Sequence, residues 1–170
     1  MPKDGDEVAV VTTNLGTIIL AFAPDKAPNH VKNFKDLANK KFYDGTHFHR
    51  VIPGFMIQGG DPNSKNPDRT LHGMGDPGYK VNAEFNDIKH VRGVLSMARS
   101  QDPNSAGSQF FIMVTAKDFL DGQYTAFGHV VKGMDVVDKI VALPRDPNDN
   151  PLTENPAKVE SVRIVKWPVK

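Results

Sequence analysis

In the stretch Phe48-His49-Arg50-Val51-Ile52-Pro53-Gly54-Phe55-Met56-Ile57-Gln58-Gly59-Gly60-Asp61, two short β-forming runs flank a Pro-Gly pair. Apolar and β-branched residues stand on both sides of a dipeptide that bends the backbone and cannot continue a ladder, which predicts a hairpin closing at Pro53-Gly54. Alternation along a strand puts Met56 and Gln58 on one face and Ile57 on the other. Once the hairpin closes, Arg50 on the first strand reaches the face of Met56 and Gln58. A long cation and an amide beside a polarisable apolar surface are unusual on a strand that serves only as core.

Working outward, Glu7–Thr12 and Thr17–Phe22 read as strands joined through Thr13-Asn14-Leu15-Gly16, an antiparallel hairpin. Pro28–Lys40 follows with Val31, Phe34, Leu37 and Ala38 at helical spacing, and Pro28 sits where a first turn tolerates it. The hairpin itself is expected over Thr46–Val51 and Phe55–Gln58. From Gly59 to His90 the chain turns rich in Gly, Pro, Asn and Asp. So long a stretch without regular structure is usually functional or disordered. An ordered surface loop is expected, pinned by Leu71, Tyr79, Val81 and Phe85. Val94–Arg99, Gln109–Val114, Thr125–Val131 and Lys158–Lys166 supply further strands, and Met134–Leu143 a second short helix ended by Pro144. Eight strands with hairpin connections and two amphipathic helices predict a mainly β fold: a closed eight-stranded antiparallel barrel capped by two α-helices.

A length of 170 residues suits a single domain over 1–170. The formal net charge of +1 gives no long-range attraction to nucleic acid or acidic membranes, so neither is expected as a partner. No apolar run approaches the roughly 20 residues that cross a bilayer. The polar start Met1-Pro2-Lys3-Asp4 is unlike a secretory signal, which makes the cytoplasm the default location; a secreted form with its signal removed would look the same. Cysteine is absent, which excludes disulfides, thiol catalysis and thiolate zinc sites. A closed barrel without free edges gives no reason to expect more than a monomer.

On Gln109-Phe110-Phe111-Ile112-Met113-Val114, alternation separates Phe110, Ile112 and Val114 from Gln109, Phe111 and Met113. Large groups on both faces suit a strand with the core on one side and a pocket on the other. At this point Phe48–Asp61 resembles the first signature of the cyclophilins, the peptidyl-prolyl cis/trans isomerases, and Ala106-Gly107-Ser108-Gln109-Phe110-Phe111-Ile112 resembles their second. The similarity runs on through Leu120-Asp121-Gly122 and Thr125-Ala126-Phe127-Gly128. It covers nearly the whole chain, and the family fold has the same count of strands and helices.

The resemblance implies a cofactor-free rotation of X-Pro bonds in proline-containing peptides and in unfolded or flexible chains, and so assistance to folding. It makes Arg50 the catalytic arginine. Gln58 and Gln109 become polar groups that bind the substrate backbone or support that arginine, and Phe55, Met56, Phe111 and Leu120 line a proline pocket. Ala98, Arg99 and Ser100 fall where the family holds the peptide, mainly by main chain, and Gly73 matches a loop glycine beside the site. Phe119, Tyr124 and Arg99 stand where the best-known members carry Trp, His and Asn, and the Ser100–Ser108 loop is one residue longer. These departures resemble shorter prokaryotic members. Because Phe119 lacks the indole donor, they imply a reduced affinity for cyclosporin.

The rival readings are a proline-peptide binding module with negligible turnover and, more distantly, a metal-dependent hydrolase. His47 and His49, two apart, would share a strand face and could offer two metal ligands, but no third ligand is evident, which favours a hydrogen-bonded structural pair. Gly73-Met74-Gly75-Asp76-Pro77-Gly78 lacks the Lys-Ser/Thr pair and helix start of a phosphate cradle.

Overall fold

The computed structural model describes residues 1–169. Strands β1 (Glu7–Thr13) and β2 (Gly16–Phe22) form the first hairpin, with Thr13 facing Gly16 across a two-residue turn. Helix α1 (Pro28–Asn39) follows. The short β3 (Arg50–Ile52) and β4 (Met56–Gly59) come next, then β5 (Val94–Met97), β6 (Phe110–Met113) and β7 (Thr125–Lys132). Helix α2 (Met134–Val141) and β8 (Val159–Lys166) complete the chain. All seven neighbouring pairs are antiparallel, in the order β3-β4-β6-β5-β7-β2-β1-β8.

The edge strands β3 and β8 do not ladder together, so the barrel is less fully closed than expected. Its seam is bridged by the segment before β3. His47 pairs with Lys158, the Phe48 amide donates to the Ala157 carbonyl at 2.9 Å, and the Val159 amide to the Thr46 carbonyl at 2.8 Å. That use of residues 46–48 explains why the strand expected from Thr46 enters the sheet only at Arg50: its first residues pair with β8 instead of β4.

Period-two alternation sorts the sheet into two apolar groups. Val11, Leu20, Ile57, Leu95, Phe110, Ile112 and Phe127 point into the barrel, where they meet Phe34 of α1 and Val137 and Ile140 of α2. Met56, Val94, Phe111, Met113 and Ala126 point outward into a second, smaller cluster with Leu120. The Phe34 ring lies 5.0 to 5.8 Å from those of Tyr43, Phe110, Phe22 and Phe127, joining the helix to the sheet. Aromatic pairs at such spacings add to the area they bury.

Residues 60–90 form an ordered loop, but not in the expected way. Of the four apolar anchors, only Val81 packs on the core; Leu71, Tyr79 and Phe85 are exposed. Polar groups hold the loop. Buried Asp61 accepts from the amides of Asn63 and Gly73, and Arg69 donates to Asp146 at 3.0 Å and to the Pro151 carbonyl at 2.8 Å. Glu84 accepts from the amides of Asn29 and His30 at 3.2 and 2.8 Å, satisfying free donors at the start of α1. A loop this poor in large apolar residues has few groups to bury, so carboxylates and carbonyls take over the anchoring.

Because Phe34 is fully buried among four aromatic rings, Phe34→Ala is expected to destabilise the fold by about 3–5 kcal/mol. Urea unfolding measures this; a loss below about 1 kcal/mol would show that the ring does not knit helix to barrel.

Candidate active site

The Pro53-Gly54 turn places the first half of the site. The Phe55 amide donates to the Ile52 carbonyl at 3.0 Å and Gly54 has φ of 72°. Pro at the second and a left-handed Gly at the third position make a type II turn, whose geometry a side chain at Gly54 would strain. Across it Arg50 faces Gln58 and Ile52 faces Met56, as the hairpin reading required. The register continues: Gln58 faces Phe111, and Phe111 faces Ser96. Arg50, Gln58, Phe111 and Ser96 therefore lie in one row across four strands.

Above this row is a cavity of about 130 Å³. Arg50 and Gln58 form its polar side, while Phe55, Met56, Phe111 and Leu120 form its apolar walls. Ala98, Arg99 and Tyr124 complete the rim. A second cavity of about 280 Å³ adjoins it, shares Gln58, Ala98 and Arg99, and includes Gly73, Ser100 and Gln109. Phe119 lines neither: it is 65% exposed and stands against Phe55 with ring centroids 6.0 Å apart. Phe55 belongs to the turn, one residue ahead of the strand expected to begin with it.

A chain of amides runs from the cation inward. Arg50 Nη1 donates to Gln58 Oε1 at 3.3 Å, and Gln58 Nε2 to Gln109 Oε1 at 3.0 Å. Gln109 Nε2 donates to the carbonyls of Gly73 and Gly75, both at 3.0 Å. Those carbonyls, turned toward Gln109, offer acceptors to the site where a phosphate cradle would offer amides. A Cβ on Gly75 would collide with the Asp61 carboxylate, so this approach of backbone to side chains requires glycine. Among the described residues no carboxylate accepts from Arg50, whose guanidinium is exposed at the cavity edge with donors to spare.

Beneath Phe111 lies a support that reading the residues in order did not find. The buried His90 ring stacks on Phe111 at 6.0 Å and 20°. Its Nδ1 donates to Asp121 Oδ1 at 3.1 Å, which fixes the tautomer and leaves Nε2 to accept from the Ser96 hydroxyl at 2.9 Å. Burial lowers the His90 pKa, against the upward pull of Asp121, which favours the neutral ring. A lone histidine ending a long loop carries no periodic signal, which is why only the tertiary contact exposes its role.

The family comparison bears on this geometry. The profile of the family described as cyclophilin type peptidyl-prolyl cis-trans isomerase/CLD matches residues 8–166. The chain belongs to the cyclophilin family. A probable peptidyl-prolyl cis-trans isomerase of Brucella abortus is 44% identical over 166 residues, covering 95% of this chain and 84% of its relative. Peptidyl-prolyl cis-trans isomerase A of Dickeya dadantii is 45% identical over 165 residues, covering 92% and 84%. Among solved structures, a Cryptosporidium parvum cyclophilin determined in the presence of the dipeptide Ala-Pro matches with a TM-score of 0.83 at 32% identity, over 94% of this chain and 99% of that one. The activity of this cyclophilin is accordingly peptidyl-prolyl cis/trans isomerisation.

The two neighbouring histidines differ from the structural pair that was expected. His47 donates from Nδ1 to the Ser64 carbonyl at 2.9 Å, but both ring nitrogens of buried His49 lack a hydrogen-bond partner among the described residues. Burial lowers the His49 pKa to about 4, only partly opposed by the nearby Asp61. The folded protein thus binds fewer protons at His49 than the unfolded chain between pH 6.5 and 4. Stability from this residue is complete above pH 6.5 and is lost as pH falls through 4. The loss is about 3 kcal/mol. His49→Phe, which keeps a planar ring and cannot protonate, is expected to flatten that part of the pH profile in urea unfolding; an unchanged slope would show that His49 is not its source.

Proposed function

We propose that this cyclophilin accelerates X-Pro rotation by holding the proline ring in the 130 Å³ cavity while Arg50 meets the amide nitrogen as it loses planarity. The observation that carries the reading is the placement of an exposed guanidinium, without a carboxylate partner among the described residues, at the lip of a cavity walled by Phe55, Met56, Phe111 and Leu120. Rotation breaks amide resonance, with a barrier of about 18–20 kcal/mol. No bond to a heavy atom forms or breaks. The enzyme needs only to bind the twisted amide more tightly than either planar isomer. In the twisted state the proline nitrogen regains a lone pair, and an always-protonated guanidinium can donate to it. Lowering the barrier by about 7 kcal/mol accelerates exchange roughly 10⁵-fold.

Each remaining residue has a part in this reading. Met56, Leu120 and Phe111, all at least 95% buried, present walls that do not move as the acyl side turns. Gln58 and Gln109 aim Arg50 through their amide chain and leave carbonyl and amide groups for the substrate backbone. Ala98 and Arg99 border both cavities and Ser100 the larger one, and together they hold the extended peptide. Clients are flexible or unfolded chains with accessible proline, and no cofactor enters the reaction. A single chain supplies every group named, which supports a monomer as the acting form.

Arg50→Ala is expected to lower kcat/KM for an Ala-Pro peptide by about 10²–10³-fold with thermal stability unchanged. NMR exchange measures it, and full turnover in the variant would overturn the mechanism. Cyclosporin is expected to bind weakly, and Phe119→Trp to tighten it by about tenfold, the worth of one net hydrogen bond. Calorimetric titration of both forms decides this; equal affinities would remove Phe119 as the cause.

A further inference from the structure

Arg99 stands on the ridge between the two cavities, and its side chain bonds in a way that the isomerase reading does not use. Its guanidinium carbon lies 4.6 Å from the centroid of the Tyr124 ring. Nε and Nη2 both donate to the Gln123 carbonyl, at 3.0 and 2.8 Å. Nη1 donates to the carbonyls of Ser100 and Gln101, at 2.9 and 3.2 Å. All of these acceptors are backbone oxygens, so the contacts fasten main chain to main chain and neutralise no charge.

The two segments so joined are those that border the cavity after β5 and before β7. Beyond Met97 the chain leaves the sheet. The Ala98 amide still donates to the Gln109 carbonyl at 2.9 Å, but among the described residues nothing bonds the main-chain N–H or C=O of Arg99 itself. On the other side, the amides of Gln123 and Tyr124 donate to the Leu120 carbonyl at 3.0 and 3.3 Å. The turn gripped by Arg99 is therefore the one that presents Leu120 as a wall. Tyr124 in turn stands edge-on to Phe111, with centroids 5.8 Å apart.

We infer that Arg99 is a positioning residue: stacked on Tyr124 and bound to the Gln123 carbonyl, it locks the peptide-holding segment 98–101 against the Leu120–Tyr124 turn and so preorganises the cavity for an extended proline-containing peptide. The inference rests on the isomerase reading for the identity of the ligand, and concerns how the site is held rather than how the amide turns. Planarity matters here, because only a guanidinium can lie flat on a ring and direct donors to carbonyls on both sides. A lysine at the same position keeps the charge and loses the clamp.

The test is NMR exchange on an Ala-Pro peptide, which separates peptide Kd from the isomerisation rate of the bound peptide, with wild type, Arg99→Ala, Arg99→Lys, Tyr124→Ala and the double variant Arg99→Ala/Tyr124→Ala. Arg99→Ala is expected to weaken peptide binding by about tenfold while the bound-state rate falls far less, the reverse of the pattern expected for Arg50→Ala. Arg99→Lys should not restore affinity, and the double variant should bind no worse than the weaker single one, since either change breaks the same contact. Hydrogen exchange of the free protein gives a readout that needs no peptide: Arg99→Ala should speed exchange in residues 99–105 and 120–124 and nowhere in the barrel. Wild-type affinity in Arg99→Ala, rescue by lysine, additive losses in the double variant, or unaltered exchange in both segments would each overturn the clamp. Absence of catalysis in the wild type, with peptide binding and the variant ratios as described, would instead count against the isomerase mechanism and leave the clamp standing.

Discussion

The pairing of β4 with β6 is the constraint on which the rest of this molecule depends. It sets Ile57 against Ile112 on the barrel side and Gln58 against Phe111 on the outer side. A slip of one residue would turn Phe110 out and Phe111 in, removing a ring from the aromatic centre around Phe34 and the floor from the candidate site together. The fold and the candidate site are thus specified by one register. The burial of Phe110 against Phe34, Tyr43 and Phe48 makes that register costly to lose. Stability that belongs to the core therefore also protects the geometry of a site made from the opposite face.

Polar order is layered on this frame. Arg50 does not stand alone, because Gln58 and Gln109 link it to the Gly73 and Gly75 carbonyls, and the loop bearing those glycines is held by the buried Asp61. Beneath the apolar wall, His90, Asp121 and Ser96 form a second chain that fixes Phe111 from below. Both chains consist of groups that share protons without net charge transfer, which suits a reaction that moves no proton. Arg50, the exposed cation at the lip, has no carboxylate partner among the described residues.

Much of the hairpin was legible from residue order because its determinants are local. Pro53-Gly54 dictates the turn, and alternation then places Arg50 beside Gln58 and Met56. The same alternation divided Phe110 from Phe111 correctly. Local pattern failed where the partner was distant. Residues 46–48 look like the start of a strand in the hairpin, yet their pairing is with 157–159, and nothing near them in the chain says so. Leu71, Tyr79 and Phe85 look like anchors because they are apolar, but the loop is tied within itself by Asp61, and to the rest of the molecule by Arg69 and Glu84, whose acceptors and donors lie far along the chain.

Residue order by itself determined the eight strands, the two helices, and, through the two long signatures, the family and its reaction. These follow from backbone preference and side-chain period, which act over a few residues. Only the tertiary structure decided that the barrel seam is a bridge instead of a full ladder, that His90 supports Phe111, and that Arg99 grips the Leu120–Tyr124 turn. Each of those is a contact between residues distant in the chain, as Arg99 and Gln123 are at 24 positions apart, and is set by the closing of the barrel rather than by any neighbour in the chain.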